Sequence, residues 1–537
     1  IERNLTDAEI ADPSTVTLMP GETLCSSGRA LCKATNHQVA DTSDRSIGAY
    51  LQDSWQLMLN LTVNAGLRYE QQQAGIAKQL QGTVSPEGET IGDVGFTVNN
   101  WAPRIGIVWD PTQEGKSKIF GHWGRFYENI PMDLNVRSLG GEIDNVANYN
   151  SKHLMPGAAG YDPNCNVDHG TVQGDLGKTL VQCSDFTQVA ILGGGSEFVT
   201  PGITGQYSDE LILGAEYEVL PDVKLGINYT HKTLPNVVED IFLAGTPDYG
   251  ITNPGQNFDA EADALATKAA QEQMSSDPKV KTQGALDAGR AQAMYKIKNF
   301  DKPYRNYDAI QVQLTQRPTK NSLILASYTY SKEQGNFPGL FSTETGQLDP
   351  NITSEYDLPA LMSNRYGPMG LDRPHNVKID GFYRFDLKKA GLITLGGSLS
   401  AQSGIPHNVL GADATYGPGE SFLLARGSAP RSPTTGQADV HLSYGRRLNK
   451  QTTLEVFGDV FNLTDAQQEA TTDETYTPDA ANPIVGGDMN DLKHIKVIDG
   501  TSGVEVAHTP TLNPNFGHTT AYLQAPRSFR FGVRLTF

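Results

Sequence analysis

The chain has 537 residues, 42 Lys and Arg against 61 Asp and Glu, and a formal net charge of −19. That balance argues against nucleic acid as a partner, which calls for basic patches. Mean hydropathy is −0.39 and no run of ~18 apolar residues occurs, so no transmembrane helix is available. A membrane barrel stays open, because each of its strands carries only half an apolar face.

Residues 1–45 show no sustained periodicity and read as a loop holding the first two cysteines. Ser46 to Gln56 then reads as a strand. From Leu59 to Glu70, Leu59, Leu61, Val63, Ala65, Leu67 and Tyr69 alternate with Asn60, Thr62, Asn64, Gly66, Arg68 and Glu70. A period of two gives a strand one apolar and one polar face. Further strands are expected at Val98 to Asp110, Lys116 to Tyr127, Ser208 to Val219, Asp222 to His231, Asn306 to Arg317 and Ser322 to Lys332. Arg373 to Asp386, Leu392 to Ser403, Gln437 to Arg446 and Thr453 to Leu463 follow. The terminal Pro526 to Phe537 sets Phe529, Phe531, Val533, Leu535 and Phe537 against Ser528, Arg530, Gly532, Arg534 and Thr536.

The connections alternate between short and long without exception. The short ones are Leu57–Met58, Pro111–Gly115, Leu220–Pro221, Pro318–Asn321, Leu387–Gly391 and Arg447–Thr452, and the long ones 71–97, 128–207, 232–305, 333–372, 404–436 and 464–525. Outer-membrane barrels sort their loops this way, with short periplasmic turns and long extracellular loops. The four tryptophans, Trp55, Trp101, Trp109 and Trp123, fall towards strand ends, where an aromatic girdle belongs. The fold class is therefore all-β, an antiparallel transmembrane β-barrel. Thirteen strands is an odd count, whereas single-chain bacterial barrels have an even one. Residues 46–537 are thus expected to be the C-terminal part of a larger barrel, with its first strands absent. One long loop has helical content: Asp259 to Met274 is Ala-rich and reads as a surface helix that residues 284–295 could continue.

Four cysteines form two near-neighbour pairs, Cys25 with Cys32 and Cys165 with Cys183, in Gly-, Ser-, Asn- and Asp-rich text. Such pairs suggest disulfides in an oxidising compartment. The rival is a zinc site, but CxxC spacing and neighbouring His pairs are missing. Asp162, Asn164, Asn166 and Asp168 are spaced like the start of a calcium loop, but Gln173 stands where the closing Glu belongs. An Asn/Asp turn is the plainer reading of that stretch. No nucleophile elbow, HExxH, P-loop or dinucleotide fingerprint occurs, so neither an enzyme nor a bound cofactor is expected, calcium there excepted.

Several stretches resemble TonB-dependent outer-membrane receptors of the Oar-like group. They are AYLQDSW at 49–55, LTVNAGLRYE at 61–70, NWAPRIGIVWD at 100–110, ASYTYSK at 326–332, LDRPHNVKIDGFYRF at 371–385, LSAQSGIP at 399–406, DVFNLTD at 459–465 and the closing text from Asn513. Each is weak alone; their order and spacing cover most of the chain from residue 46. The resemblance implies a barrel of about 22 strands filled by a plug domain, a TonB box, and a bacterial outer-membrane location. Partners would be outer-membrane lipid, the plug and N-terminal strands, the TonB complex and a surface protein. The plug, the TonB box and the first strands are not in this sequence.

In that frame Arg68, Glu70, Glu210, Glu216, Glu218, Lys224, Lys378, Asp380, Arg384, Glu455, Asp459, Arg530 and Arg534 point into the lumen. Their ordinary role is to solvate the wall and pair with the plug; a functional role would be to line the passage that opens when the plug moves. His122, His231, His375 and His441 read as ordinary strand residues. Phe529, Phe531, Val533, Leu535 and Phe537 would face lipid, and the terminal Phe537 resembles the signal read by barrel-assembly machinery. The expected function is TonB-dependent transport, of protein or peptide, through loops that capture substrate. The alternative is a non-transporting scaffold whose loops bind partner proteins.

Overall fold

The computed structural model describes residues 40–84, 90–140, 197–243, 249–342, 344, 353–414, 416–498, 504–506, 509–522 and 525–537, and the backbone of short strands within 1–39 and 141–196. Thirteen long strands form one antiparallel sheet in which every strand pairs with its neighbours in sequence. They are β1 (Ser43–Met58), β2 (Leu61–Gly75), β3 (Val94–Trp109), β4 (Ser117–Tyr127), β5 (Tyr207–Leu220), β6 (Val223–Asn236), β7 (Arg305–Gln316), β8 (Ser322–Gly335), β9 (His375–Asp386), β10 (Leu392–Gln402), β11 (Thr435–Arg447), β12 (Thr453–Phe461) and β13 (Ser528–Thr536). β1 and β13 each have one partner in this sheet, so it is not closed.

Loop lengths sort as expected. The short turns are built from local polar chemistry. Asp110 accepts hydrogen bonds from Thr112 Oγ1 (2.6 Å), Ser117 Oγ (2.6 Å) and Gly115 N (2.7 Å). The hydroxyls of Ser117 and Thr112 hold its carboxyl well below the usual range. Asn449 Oδ1 accepts from Gln451 N and Thr452 N, both at 2.8 Å, which is the Asx turn that such residues favour. Gly391 closes the β9–β10 turn at φ 120°, and a Cβ there would lie 2.6 Å from the Gly445 carbonyl oxygen. Only glycine fits that position.

Two turns sit further along than expected. β1 runs through Met58, leaving Leu59–Asn60 as the turn in place of Leu57–Met58, because apolar text continues across the bend. Pro221–Asp222 replaces Leu220–Pro221, with Asp222 at φ 63°. The strands also run past the alternating text at the long-loop end. β2 reaches Gly75 and β3 starts at Val94, so Trp101 lies in mid-strand and not near an end. β1 begins at Ser43, inside the stretch read as a loop.

Among the described residues, the long loops pack around three apolar cores. One joins Val237, Phe258, Met294, Phe337 and Tyr356. A second gathers Phe96, Leu134, Ile203 and Val238, and a third Val409, Leu423, Ala481 and Leu492. Beside α1 (Met132–Ser138), the helical loop holds two separate helices, α2 (Asp259–Gln273) and α3 (Pro278–Met294). Asp277 caps α3 by accepting from Lys279 N, and Pro278 occupies its first turn. Small residues let α2 and α3 approach closely: a Cβ at Gly284 would lie 2.8 Å from the Ala269 carbonyl.

Candidate functional site

Directly opposed residues in a sheet share a face, so the register decides where the predicted wall residues lie. Glu70 pairs with Asn100 and Arg68 with Ala102, on the face that carries Arg104 opposite Gly124. Gly124 pairs with Glu210, Glu216 with Lys118, and Glu218 with Lys224. The same face continues through Thr315 and Leu325 to Asp380, with Lys378 and Arg384 on either side of it. It passes through Thr394 and Ser443 to Glu455 and Asp459, which pair with Arg534 and Arg530. All thirteen residues therefore lie on one face.

The structure brings many of them into contact. Arg68 Nε is 3.0 Å from Glu70 Oε2, and Lys224 Nζ 2.8 Å from Glu216. Asp459 sits between His441 Nδ1 (2.6 Å) and Arg530 Nε (2.7 Å), and Arg534 lies 3.2 Å from Glu455. Glu210 meets Lys232 at 2.6 Å and His122 at 3.6 Å. Glu218 accepts from Asp222 N at 3.0 Å. Arg384 lies over the Phe382 ring, 4.9 Å from its centroid. Lys378 and Asp380 make no ion pair among the described residues. Lys232 and His441 were legible as members of this face by the same alternation, whereas Lys116 to Tyr127 alternates ambiguously, so Lys118 and His122 are placed only by cross-strand register.

The opposite face is apolar and exposed. It carries Trp55, Trp101, Trp109, Leu213, Ile227, Val312 and Val456, and on β13 Phe529, Phe531 (81 % exposed), Val533 and Leu535. Aromatic pairs mark its two ends, Tyr69 with Trp101 (4.8 Å between centroids) at the long-loop end and Tyr383 with Phe385 (4.6 Å) near the short turns. Beyond Tyr69 the face turns polar with Gln71 and Gln73 opposite Asn99 and Thr97. From Leu61 to Tyr69 the apolar face spans roughly 26 Å along the strand, or ~20 Å along a membrane normal at ~40° tilt, close to the ~25 Å height of a barrel's apolar band.

Above the charged face, the loops bury ionic groups. Arg365 and Arg426 are enclosed, with guanidinium carbons 4.5 and 4.8 Å from the Phe422 ring centroid. Arg365 reaches Glu355 Oε1 (2.6 Å), Leu361 O (2.9 Å) and Glu420 O (2.8 Å), and Arg426 pairs with Glu344. Asn364 Nδ2 donates to Phe422 O at 3.1 Å and to Ile484 O at 3.3 Å, tying three loops together. Beside this network lie Glu239, Asp240 and Asp357. Burial raises the carboxyls of Glu239 and Asp240 well above their usual range and pushes Asp357 up to about 7. No group of three or more His, Cys, Asp or Glu among the described residues is arranged to hold a metal.

A sequence model of the outer membrane beta barrel domain matches residues 27–449. The chain belongs to that family. This barrel domain is accordingly a bacterial outer-membrane protein. It is similar to the TonB-dependent transporter Oar of Myxococcus xanthus, at 34 % identity over 93 % of this chain. It spans 43 % of that relative's length. Among solved structures it is similar to BauA, the ferric preacinetobactin receptor of Acinetobacter baumannii, at 10 % identity, covering 92 % of this chain and 43 % of that one, with a TM-score of 0.43. The ferric-catecholate import receptor Fiu of E. coli K12 is similar at 11 % identity, over 94 % and 46 %, with a TM-score of 0.40.

Two predicted features of the barrel domain fall elsewhere. Cys165, Cys183 and the candidate calcium residues Asp162, Asn164 and Asn166 lie outside the described residues. Asp168 is described in its backbone alone, paired with Thr171. The backbone of a short hairpin places Cys25 opposite Cys32.

Proposed function

We propose that this chain is the barrel portion of a TonB-dependent transporter. Its charged face lines a plug-filled lumen, its apolar face meets lipid, and its loop layer takes up substrate, of protein or peptide class, on the outside. The reading is carried by one observation: thirteen charged residues, chosen from the sequence, share one face of a sheet whose other face is an apolar band close to membrane height. The similarity to Oar supports the TonB-dependent part. A plug and the TonB complex are the partners this activity needs.

Cysteine accessibility tests it in cells. Ser327→Cys and Ser398→Cys lie on the charged face and Leu399→Cys on the apolar one. A membrane-impermeant maleimide should label the first two only when TonB is energised, and Leu399→Cys never. Equal labelling of the charged face with and without TonB would sink the transporter reading and leave the scaffold one. Labelling of Leu399→Cys would reverse the assignment of the faces.

A further inference from the structure

The loop layer concentrates acidic groups where bulk solvent barely reaches them. Glu239 and Asp240 open the short strand Glu239–Phe242, which pairs with Tyr249–Thr252. Against them pack Glu355, Tyr356 and Asp357 from the turn Ser354–Tyr356 and its neighbour. Glu239 and Glu355 have no exposure, and Asp240 and Asp357 only 5 % each. Glu197 and Glu420 add negative charge to the same region, and Glu344 lies on its Arg426 side.

The bases are fewer. Arg365 and Arg426 are engaged with Glu355 and Glu344, and Arg137 of α1 acts on Asp240 from a distance. The Tyr416 hydroxyl lies beside Asp357 and 2.9 Å from the Tyr249 hydroxyl. Thr353 N donates to Glu239 Oε1. Among the described residues no donor remains for Glu239 Oε2, Asp240 Oδ1 and Asp357 Oδ1, which are buried without a hydrogen-bond partner. A buried ionised carboxylate left unpaired is too costly to persist, so such a group takes a proton or a cation. The absence of any metal-holding group of three among the described residues favours the proton.

We propose that the loop layer is latched by protons held on Glu239, Asp240 and Asp357, and that losing them releases the segment 353–366 from the strands 239–242 and 249–252. The three carboxyls come from two different loops, and Tyr416 beside Asp357 brings in a third, so one proton-dependent cluster joins three loops. Their folded-state affinities for protons are raised above those of a solvated carboxyl. The closed layer is therefore strongest at acid pH, where both states are protonated. It weakens as pH climbs from the solvated range, near 4, towards 7 and beyond. The inference rests on the burial and packing of these carboxyls and stands whether or not the chain transports anything.

Hydrogen exchange of the native full-length protein in detergent, corrected for intrinsic rates and followed from pH 5 to 7.5, tests it. The opening equilibrium of 353–366 should rise about tenfold per pH unit for each proton released. Asp357→Asn should lower that slope by one decade per pH unit, and Asp240→Asn should do the same if the first variant fails to assemble. A flat wild-type profile, or a slope that neither variant changes, would overturn the proposal. Restoration of full protection at pH 7.5 by added calcium or magnesium would overturn it in favour of a bound cation.

Discussion

Arg365 offers the sharpest test of how the loop layer is held. Replacing it with Met keeps much of the volume and removes the charge. It deletes the 2.6 Å contact with Glu355 Oε1 and the bonds to Leu361 O and Glu420 O, together with the stacking on Phe422. Glu355 would keep the Ser342 hydroxyl at 3.2 Å and Arg426 at 3.4 Å. Removing one partner of a buried pair costs about 3–5 kcal/mol when the other charge is left stranded, and the remaining Arg426 contact puts this case towards the lower end of that range. Local opening should therefore rise by roughly two to four orders of magnitude. Hydrogen exchange of 353–366 and 417–424 reads that change, with the wall strands as internal control. The double variant Arg365→Met, Glu355→Gln should recover a large part of the loss, since it leaves no stranded carboxylate. A single variant costing under ~1 kcal/mol, or a double variant no better than the single, would refute the idea that this charge is held by pairing.

On the face proposed to meet lipid, Phe531→Arg should lower folding stability in bilayers by about 2–4 kcal/mol, while Arg534→Gln on the other face should cost far less; urea titration in vesicles with a gel-shift readout compares them. Gly391→Ala should cost about 1–3 kcal/mol through its φ of 120° and the carbonyl 2.6 Å away, measured the same way. If the cysteine pairs are disulfides, the native protein should resist iodoacetamide until it is reduced, as intact mass would show. Free alkylation without reductant would return both pairs to thiols.

The wall was legible because its physics is local. An apolar residue at every second position declares a strand wherever it stands, and the short turns announce themselves through Asp110, Pro221 and Asn449. The same rule failed where its premise lapsed. From Gln71 to Gly75 both faces are polar or small, so β2 looked finished at Glu70 although the ladder continues. The turn at Leu59–Asn60 was displaced because Leu57, Met58 and Leu59 gave no polar break. α3 carried a legible start, Asp277 followed by Pro278, that its Ala-rich neighbour obscured. Apart from α2, the loop layer was not legible. Arg365 stands in LMSNRYGP, which looks like surface, and its partners Glu355, Glu420 and Phe422 meet it only through tertiary packing. Ionic burial of this kind has no periodicity to read.

Asn364 gives the loop layer a consequence for inheritance. Its side chain donates to Phe422 and Leu423 of one loop and to Ile484 of another. Loops that are separate in the gene thus form one slab. Natural variation and laboratory chimeras are constrained accordingly: grafting 336–374 alone into a related barrel would import Arg365 without Glu420 and Asn364 without Ile484. Outer surfaces built this way should be exchanged as whole sets, and a change of specificity would arrive in coordinated blocks instead of one loop at a time.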